Sequence, residues 1–309
     1  MSLWEAVLLG VIQGLTEFLP ISSTAHLLVA RRLMGHEKPE DAFTTAIQLG
    51  TLVAVFVYFR VDVARLLRAL WSDIKAVRPG TTPDARLGWK IVVGTIPVVV
   101  IGGLFKEPIK RTLYNTPCIA AAAVVFALLL LASEMWSKRR ANHGIPGRPE
   151  EDVTWRDAIL MGCFQALALI PGASRSGTTI TAGLFAGLSR PAAARFSFLL
   201  SLPSVLGAGL KEMYDDRHEL FASGGSVMNL VVGTAVAGVV GYASIAWLLG
   251  YLKRHPTYVF VIYRLVMAAA LMAMLSAGWI QDVPPEKSSG HEQPAALTGS
   301  PRPPSARGS

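Results

Sequence analysis

Leu9 to His26 reads LGVIQGLTEFLPISSTAH, and Met161 to Thr179 reads MGCFQALALIPGASRSGTT. Gly10, Gln13 and Leu15 match Gly162, Gln165 and Leu167 at an offset of 152 residues. A one-residue gap then aligns Pro20 with Pro171 and Ser23 with Ser174. Each copy is an apolar helix interrupted at a proline, which lacks an N–H and clashes with the preceding turn. Each then restarts in a Ser/Thr-rich run suited to capping a new helix. Reactive side chains at the break of an apolar segment mark where a membrane protein keeps its chemistry.

The rest of the chain has the composition of a bilayer protein. Of 309 residues, 52% are hydrophobic and 16% charged, with positive mean hydropathy; a soluble domain carries about 25% charge. Six segments are long enough to cross a bilayer, about 42–59, 87–105, 117–136, 192–212, 227–250 and 257–280, given the roughly 20 residues a crossing needs. Two more, about 3–35 and 154–189, are apolar but interrupted, and each half is short for a span. They read as re-entrant helical hairpins, whose irregular backbone survives at depth only inside protein or beside a wet cavity. The expected fold is all-α, with six transmembrane helices and two re-entrant hairpins in one integral membrane domain, 1–281. A Pro/Ser/Gly-rich tail, 282–309, is expected to be disordered.

The duplication extends further. Val92-Val93-Gly94-Thr95 recurs as Val231-Val232-Gly233-Thr234, and Pro117 recurs as Pro256, both at an offset of 139. The chain divides into repeats of about 1–136 and 152–280, each with one hairpin and three spans. An odd number of spans inverts the second copy, so the hairpin tips are expected to meet near the midplane.

The formal charge is +8, from 29 basic and 21 acidic residues. Basic residues collect in three loops: Arg60, Arg65, Arg68, Lys75, Arg78 and Arg86; Lys138, Arg139, Arg140, Arg148 and Arg156; Lys253 and Arg254. All fall on one side of the expected topology, which makes that side cytoplasmic. Glu212, Asp215, Asp216 and Glu219 fall on the other. This predicts a multi-pass protein of the plasma (inner) membrane with both termini outside. The charge suits membrane lipid head groups rather than nucleic acid. The N-terminus lacks a basic n-region and a cleavage site, so no removable signal peptide is expected. Cys118 and Cys163 lie in apolar segments and read as packing residues without a disulfide framework.

Gln13 and Glu17 share one helix face, and Gly10 and Gly14 let another backbone approach it. A buried Glu17 requires a partner. Ser22, Ser23 and Thr24 open the next helix; capping is the simpler of two roles open to Ser22. Ser23 and His26 are one turn apart, the arrangement of a nucleophile with a base. In the second break, Gly172, Ser174, Ser176 and Thr179 surround Arg175. Small residues expose backbone N–H groups at a helix start, hydroxyls add donors, and a guanidinium forks onto phosphate oxygens. Neutralising Glu17 is the simpler role for Arg175. Arg264 reads as a second phosphate contact or a counter-ion. Interhelical hydrogen bonding accounts for one of the amides Gln48 and Gln165, and Glu134 and Trp136 read as interface anchors. A P-loop, an HExxH and a CxxC are all absent from the sequence, so ATP-driven transport and zinc hydrolysis have no support.

These motifs resemble the undecaprenyl-diphosphate phosphatase, or bacitracin-resistance, family over the chain up to about residue 280. Gln13-Gly-Leu-Thr-Glu17 fits its (E/Q)xxxE motif, Phe18 to His26 its signature, and Pro171 to Thr179 its PGxSRSxxT motif. The resemblance implies hydrolysis of the lipid carrier diphosphate to monophosphate and inorganic phosphate, at a site open to the outer face. It implies carrier recycling for peptidoglycan synthesis, and bacitracin resistance. The expected roles are Ser23 as nucleophile or water director, His26 as proton carrier, Glu17 orienting His26 or holding a divalent cation, and Arg175 stabilising the transition state. Gln13, Ser22, Thr24, Gly172, Ser174, Ser176, Thr179 and Arg264 would bind substrate. Magnesium or calcium suits so charged an anion; position 13 takes the amide option, leaving Glu17 as this motif's one carboxylate. A homodimer is compatible with the sequence and not specified by it. The rival reading is a secondary transporter or flippase for a prenyl phosphate lipid, an architecture in which inverted repeats and broken helices also recur.

Overall fold

A computed structural model describes residues 1–36, 42–215, 224–280 and 282. Among them the regular structure is helical: α1 Leu3–Thr16, α2 Ser23–Leu33, α3 Ala42–Tyr58, α4 Arg60–Ala76, α5 Pro83–Leu113, α6 Thr116–Asn142, α7 Trp155–Leu167, α8 Arg175–Phe185, α9 Arg190–Asp215, α10 Gly224–Leu252 and α11 Tyr258–Ser276. Asp216, Glu219 and the tail from 283 onward lie outside the described residues.

Five helices, α5, α6, α9, α10 and α11, are long and apolar enough to cross a bilayer. The chain is a multi-pass membrane protein. The sixth expected span, α3, meets that standard only together with α4, across a bend of 79°; its apolar stretch alone, Ala46–Tyr58, is short of a crossing. The first basic loop of the sequence reading is largely helix α4. Its charges follow helical spacing, with Leu66 and Asp73 turned inward.

The two interrupted segments are built alike. Each opens on a capping box: Ser2 with Glu5 at α1, Thr154 with Asp157 at α7. Glu5, which the sequence gives no role, therefore starts the first helix. Each first helix stops four residues before its proline, α1 at Thr16 before Pro20 and α7 at Leu167 before Pro171. That is where a proline ring meets the carbonyl of residue i−4. Each restarts after a serine in the left-handed region, Ser22 at φ 74° and Ser174 at φ 70°. These caps correct the alignment of the restarts: Ser22 is the counterpart of Ser174, and Ser23 that of Arg175.

Packing is exchanged between the halves. α1 lies along α10 and α7 along α5, while α3 packs on α9 and α6 on α11. A Cβ built on Gly10 would lie 2.6 Å from the Gly233 carbonyl oxygen, and one on Gly162 2.0 Å from that of Gly94. The repeated Val-Val-Gly-Thr thus supplies the surface on which the opposite half's first helix rests. Close backbone approach through small residues is how apolar helices gain contact in lipid. Glu134 is no interface anchor. It is fully buried, takes Arg190 Nε at 2.8 Å, and accepts from the Thr257 backbone N–H at 3.1 Å and its hydroxyl at 2.8 Å. It joins α6 to α9 and to the start of α11. Cys163 is exposed rather than packed.

Gly162→Ala should lower the thermal midpoint in detergent by the equivalent of about 1–3 kcal/mol, because backbone has to move. Gly103→Ala is the control: its new methyl meets nothing within 4 Å, and its midpoint should stay or rise.

Candidate active site

The two breaks meet. The Arg264 guanidinium, fully buried, donates to Pro20 O at 3.4 Å in the first break and to Gly172 O at 3.0 Å and Ala173 O at 2.9 Å in the second. Its Nε reaches Ala123 O on α6 at 3.2 Å. Ser176 crosses between the breaks as well, its hydroxyl donating to Leu19 O at 2.9 Å. Its partners are thus backbone carbonyls of both breaks and of α6 rather than a carboxylate, and it does not line the polar cavity beside Glu17. A cation can be buried in apolar surroundings when carbonyl oxygens take its donors. Gly172, at φ 90°, is forced on that site: a Cβ there would lie 2.3 Å from Ile119 O.

On this frame Glu17 is the meeting point. Arg175 forms an ion pair with its Oε1. The Ser23 hydroxyl donates to its Oε2 at 2.8 Å, and Gln13 Nε2 to the same oxygen at 3.0 Å. Ser23 and Arg175 thus stand at the first positions of α2 and α8 and share one carboxylate. The pair is largely buried, with side-chain exposures of 21% for Arg175 and 11% for Glu17.

A cavity of about 200 Å³ opens over this cluster. Glu17, Ser22, Ser23 and Thr24 form one wall, Gly172, Ser174 and Arg175 another, and Gln48 a third. Both helix N-termini border it, and each contributes unsatisfied N–H groups and the positive end of a dipole. The Ser174 hydroxyl caps α8 through Gly177 N at 3.3 Å, whereas Ser22 makes no side-chain cap. The Thr179 hydroxyl donates to the Arg175 carbonyl at 2.8 Å, so it shapes the turn rather than lining the cavity. Of the two amides the sequence left undivided, Gln48 is the one that lines the cavity; an amide facing a wet cavity looks like any interhelical amide until the fold is known. Gln165 is the interhelical one, donating to the Ser204 hydroxyl at 3.0 Å.

The expected Ser23–His26 contact is replaced by two others. His26 Nδ1 lies 2.7 Å from the Ser22 carbonyl, and Nε2 lies 2.6 Å from the Tyr263 hydroxyl. Glu17 accordingly orients Ser23, not His26. His26 lines a second, apolar cavity of about 590 Å³ between α1, α2 and α11, walled by residues such as Ile12, Val29, Val266 and Met274. Ser22 to Thr24 line the polar cavity and Ala25 and His26 the apolar groove, so consecutive residues of α2 form the seam between them.

Among the described residues, no three His, Cys, Asp or Glu side chains gather as a metal site. Glu17 lines the polar cavity and is an oxygen donor that fits a hard cation arriving with a phosphate, which needs few protein ligands; Gln13 is fully buried and does not line that cavity.

Arg264→Lys keeps the charge but not the fork. It should cost at least about 3 kcal/mol of stability, since several charge-assisted bonds go at once. Arg175→Lys, at the cavity edge, should leave the unfolding midpoint nearly in place.

The model of the family described as Bacitracin resistance protein BacA matches residues 6–270. A Chlorobium chlorochromatii protein named undecaprenyl-diphosphatase is 52% identical over 281 residues, 91% of this chain and 100% of that one. Proteins of the same name from Chlorobium phaeobacteroides (strain BS1) and Chloroherpeton thalassium are 47% and 50% identical, each over 91% of this chain and 100% and 99% of their own. Matched by that family's model over residues 6–270 and by these relatives over 91% of its length, the chain belongs to the bacitracin resistance protein BacA family.

Proposed function

We propose that this protein hydrolyses undecaprenyl diphosphate to undecaprenyl phosphate and inorganic phosphate. That reaction recycles the lipid carrier for cell-wall synthesis and confers bacitracin resistance. The observation that carries the reading is the convergence of Ser23, Arg175 and Gln13 on Glu17 beneath two helix N-termini.

The diphosphate occupies the polar cavity and the first prenyl units run into the apolar groove beside His26. Incoming phosphate oxygens compete with Glu17 for Arg175, whose fork then stabilises the charge of the transition state. Glu17 thereby becomes free to take the Ser23 proton. Ser23 Oγ forms its bond to the terminal phosphorus as the bond to the bridging oxygen breaks, and the electron pair leaves with the prenyl phosphate. Water then cleaves the phosphoserine, returning the proton to Ser23 and releasing phosphate. His26, at the seam of the two cavities, serves the leaving-group side. A magnesium or calcium ion accompanying the diphosphate would be held by Glu17 and would neutralise phosphate charge. A flippase has no need of a serine bonded to a carboxylate, which favours the hydrolase.

The halves are read as an inverted repeat with two re-entrant hairpins. Support comes from the matched capping boxes, the matched left-handed serines and the exchanged glycine contacts. The protein is assigned to the plasma membrane with its site facing outward and both termini outside. The basic residues of α4, the end of α6 and Lys253–Arg254 support that orientation.

Purified protein should release phosphate from undecaprenyl diphosphate, and Ser23→Ala and Arg175→Ala should each lower the rate at least about 100-fold. A labelled terminal phosphoryl group should be trapped on Ser23. Near wild-type turnover in Ser23→Ala would remove the nucleophile.

A further inference from the structure

Tyr263 lies outside every motif the function has absorbed. It stands on α11 directly before Arg264, the residue that fixes both breaks. Its position relative to the site is therefore set by that buried guanidinium. Its ring lies nearly parallel to the imidazole of His26, with centroids 5.5 Å apart and planes 8° from parallel. Its hydroxyl is 2.6 Å from Nε2.

The hydrogen bonds determine the tautomer. The Ser22 carbonyl is an acceptor only, so the Nδ1 atom 2.7 Å from it carries the proton. Nε2 of the neutral ring is then an acceptor, and the Tyr263 hydroxyl is its donor. The other lining of the groove around this pair is apolar, from Leu8 and Ile12 on α1 to Val266 and Met267 on α11. Among the described residues, no other side chain is seen bonded to Nε2.

We propose that Tyr263 is a positioning residue for His26. It holds the imidazole as the Nδ1–H tautomer, with its Nε2 lone pair fixed on the groove side of the seam. The inference rests on the hydrolase reading, in which the prenyl phosphate departs past this seam. Without the phenol hydroxyl, Nε2 faces hydrocarbon and the ring can turn about χ2. Tyr263 acts only through His26 and needs no contact with substrate.

The test combines kinetics with a direct look at the ring. In Tyr263→Phe, which keeps the aromatic face, kcat should fall at least about ten-fold while KM moves less than about two-fold. In a His26→Ala background, the same change should have no further effect. Ring-nitrogen NMR of 15N-histidine protein near pH 8, with His26 assigned by difference from His26→Ala, should show Nδ1–H in the wild type and a tautomer mixture in Tyr263→Phe. Additive losses in the double variant, or an unchanged tautomer in Tyr263→Phe, would overturn the proposal. If Tyr263→Phe does not fold, the wild-type spectrum decides alone: a proton on Nε2 overturns it. A wild-type protein with the Nδ1–H ring but no phosphate release would instead count against the hydrolase reading while supporting the pair.

Discussion

A guanidinium buried among carbonyls holds this site together. A broken helix in a membrane leaves backbone C=O groups without partners, at a cost of several kcal/mol each in hydrocarbon. Two breaks double the problem, and Arg264 meets both at once. It donates to Pro20 in one break and to Gly172 and Ala173 in the other. The arginine and the breaks therefore depend on each other. The charge tolerates burial only because the helices are interrupted, and the interruptions persist because a multivalent donor fills the gap between them.

With the breaks fixed, the chemistry follows from what stands first on each restarted helix. Ser22 and Ser174 take the same left-handed turn, so Ser23 and Arg175 occupy equivalent places. Two restarts built alike thus present a hydroxyl, the proposed nucleophile, on one side and a guanidinium fork on the other. Glu17, from the first copy only, bridges them. In the second copy the equivalent position, one residue past α7, is Ala168, so no second carboxylate competes. Before substrate arrives, the Glu17–Arg175 pair keeps the cavity close to neutral. In the proposed reaction the anion has to win Arg175 from a carboxylate, which favours a diphosphate over weaker anions.

Much of this was legible in the sequence. The prolines at 20 and 171 and the paired Gly-Gln-Leu motifs disclosed two breaks, and Arg175 with Glu17 disclosed the ion pair. The prolines could not fix the register of the restarts, because that depends on backbone conformation at Ser22 and Ser174. Residue spacing suggested Ser23 against His26, since both lie on one helical turn. It could not reveal that Ser22's carbonyl and a tyrosine 237 positions away would claim the imidazole. The surroundings of Arg264, and the choice between Gln48 and Gln165, stayed open for one reason. Whether a polar side chain in an apolar helix faces a cavity, a neighbouring helix or a helix break is a fact of tertiary packing. The 79° bend after α3 was hidden because α4 mixes basic and apolar residues as a loop would.

The central claim is that both breaks bind a single oxyanion and that Arg175 leaves Glu17 to do so. The most direct test is an experimental structure of the protein with orthovanadate. The account predicts vanadium within bonding distance of Ser23 Oγ, and the Arg175 guanidinium on the vanadate oxygens with its contact to Glu17 broken or shared. Vanadate bound away from Ser23, or bound there with Arg175 still paired only to Glu17, would contradict it.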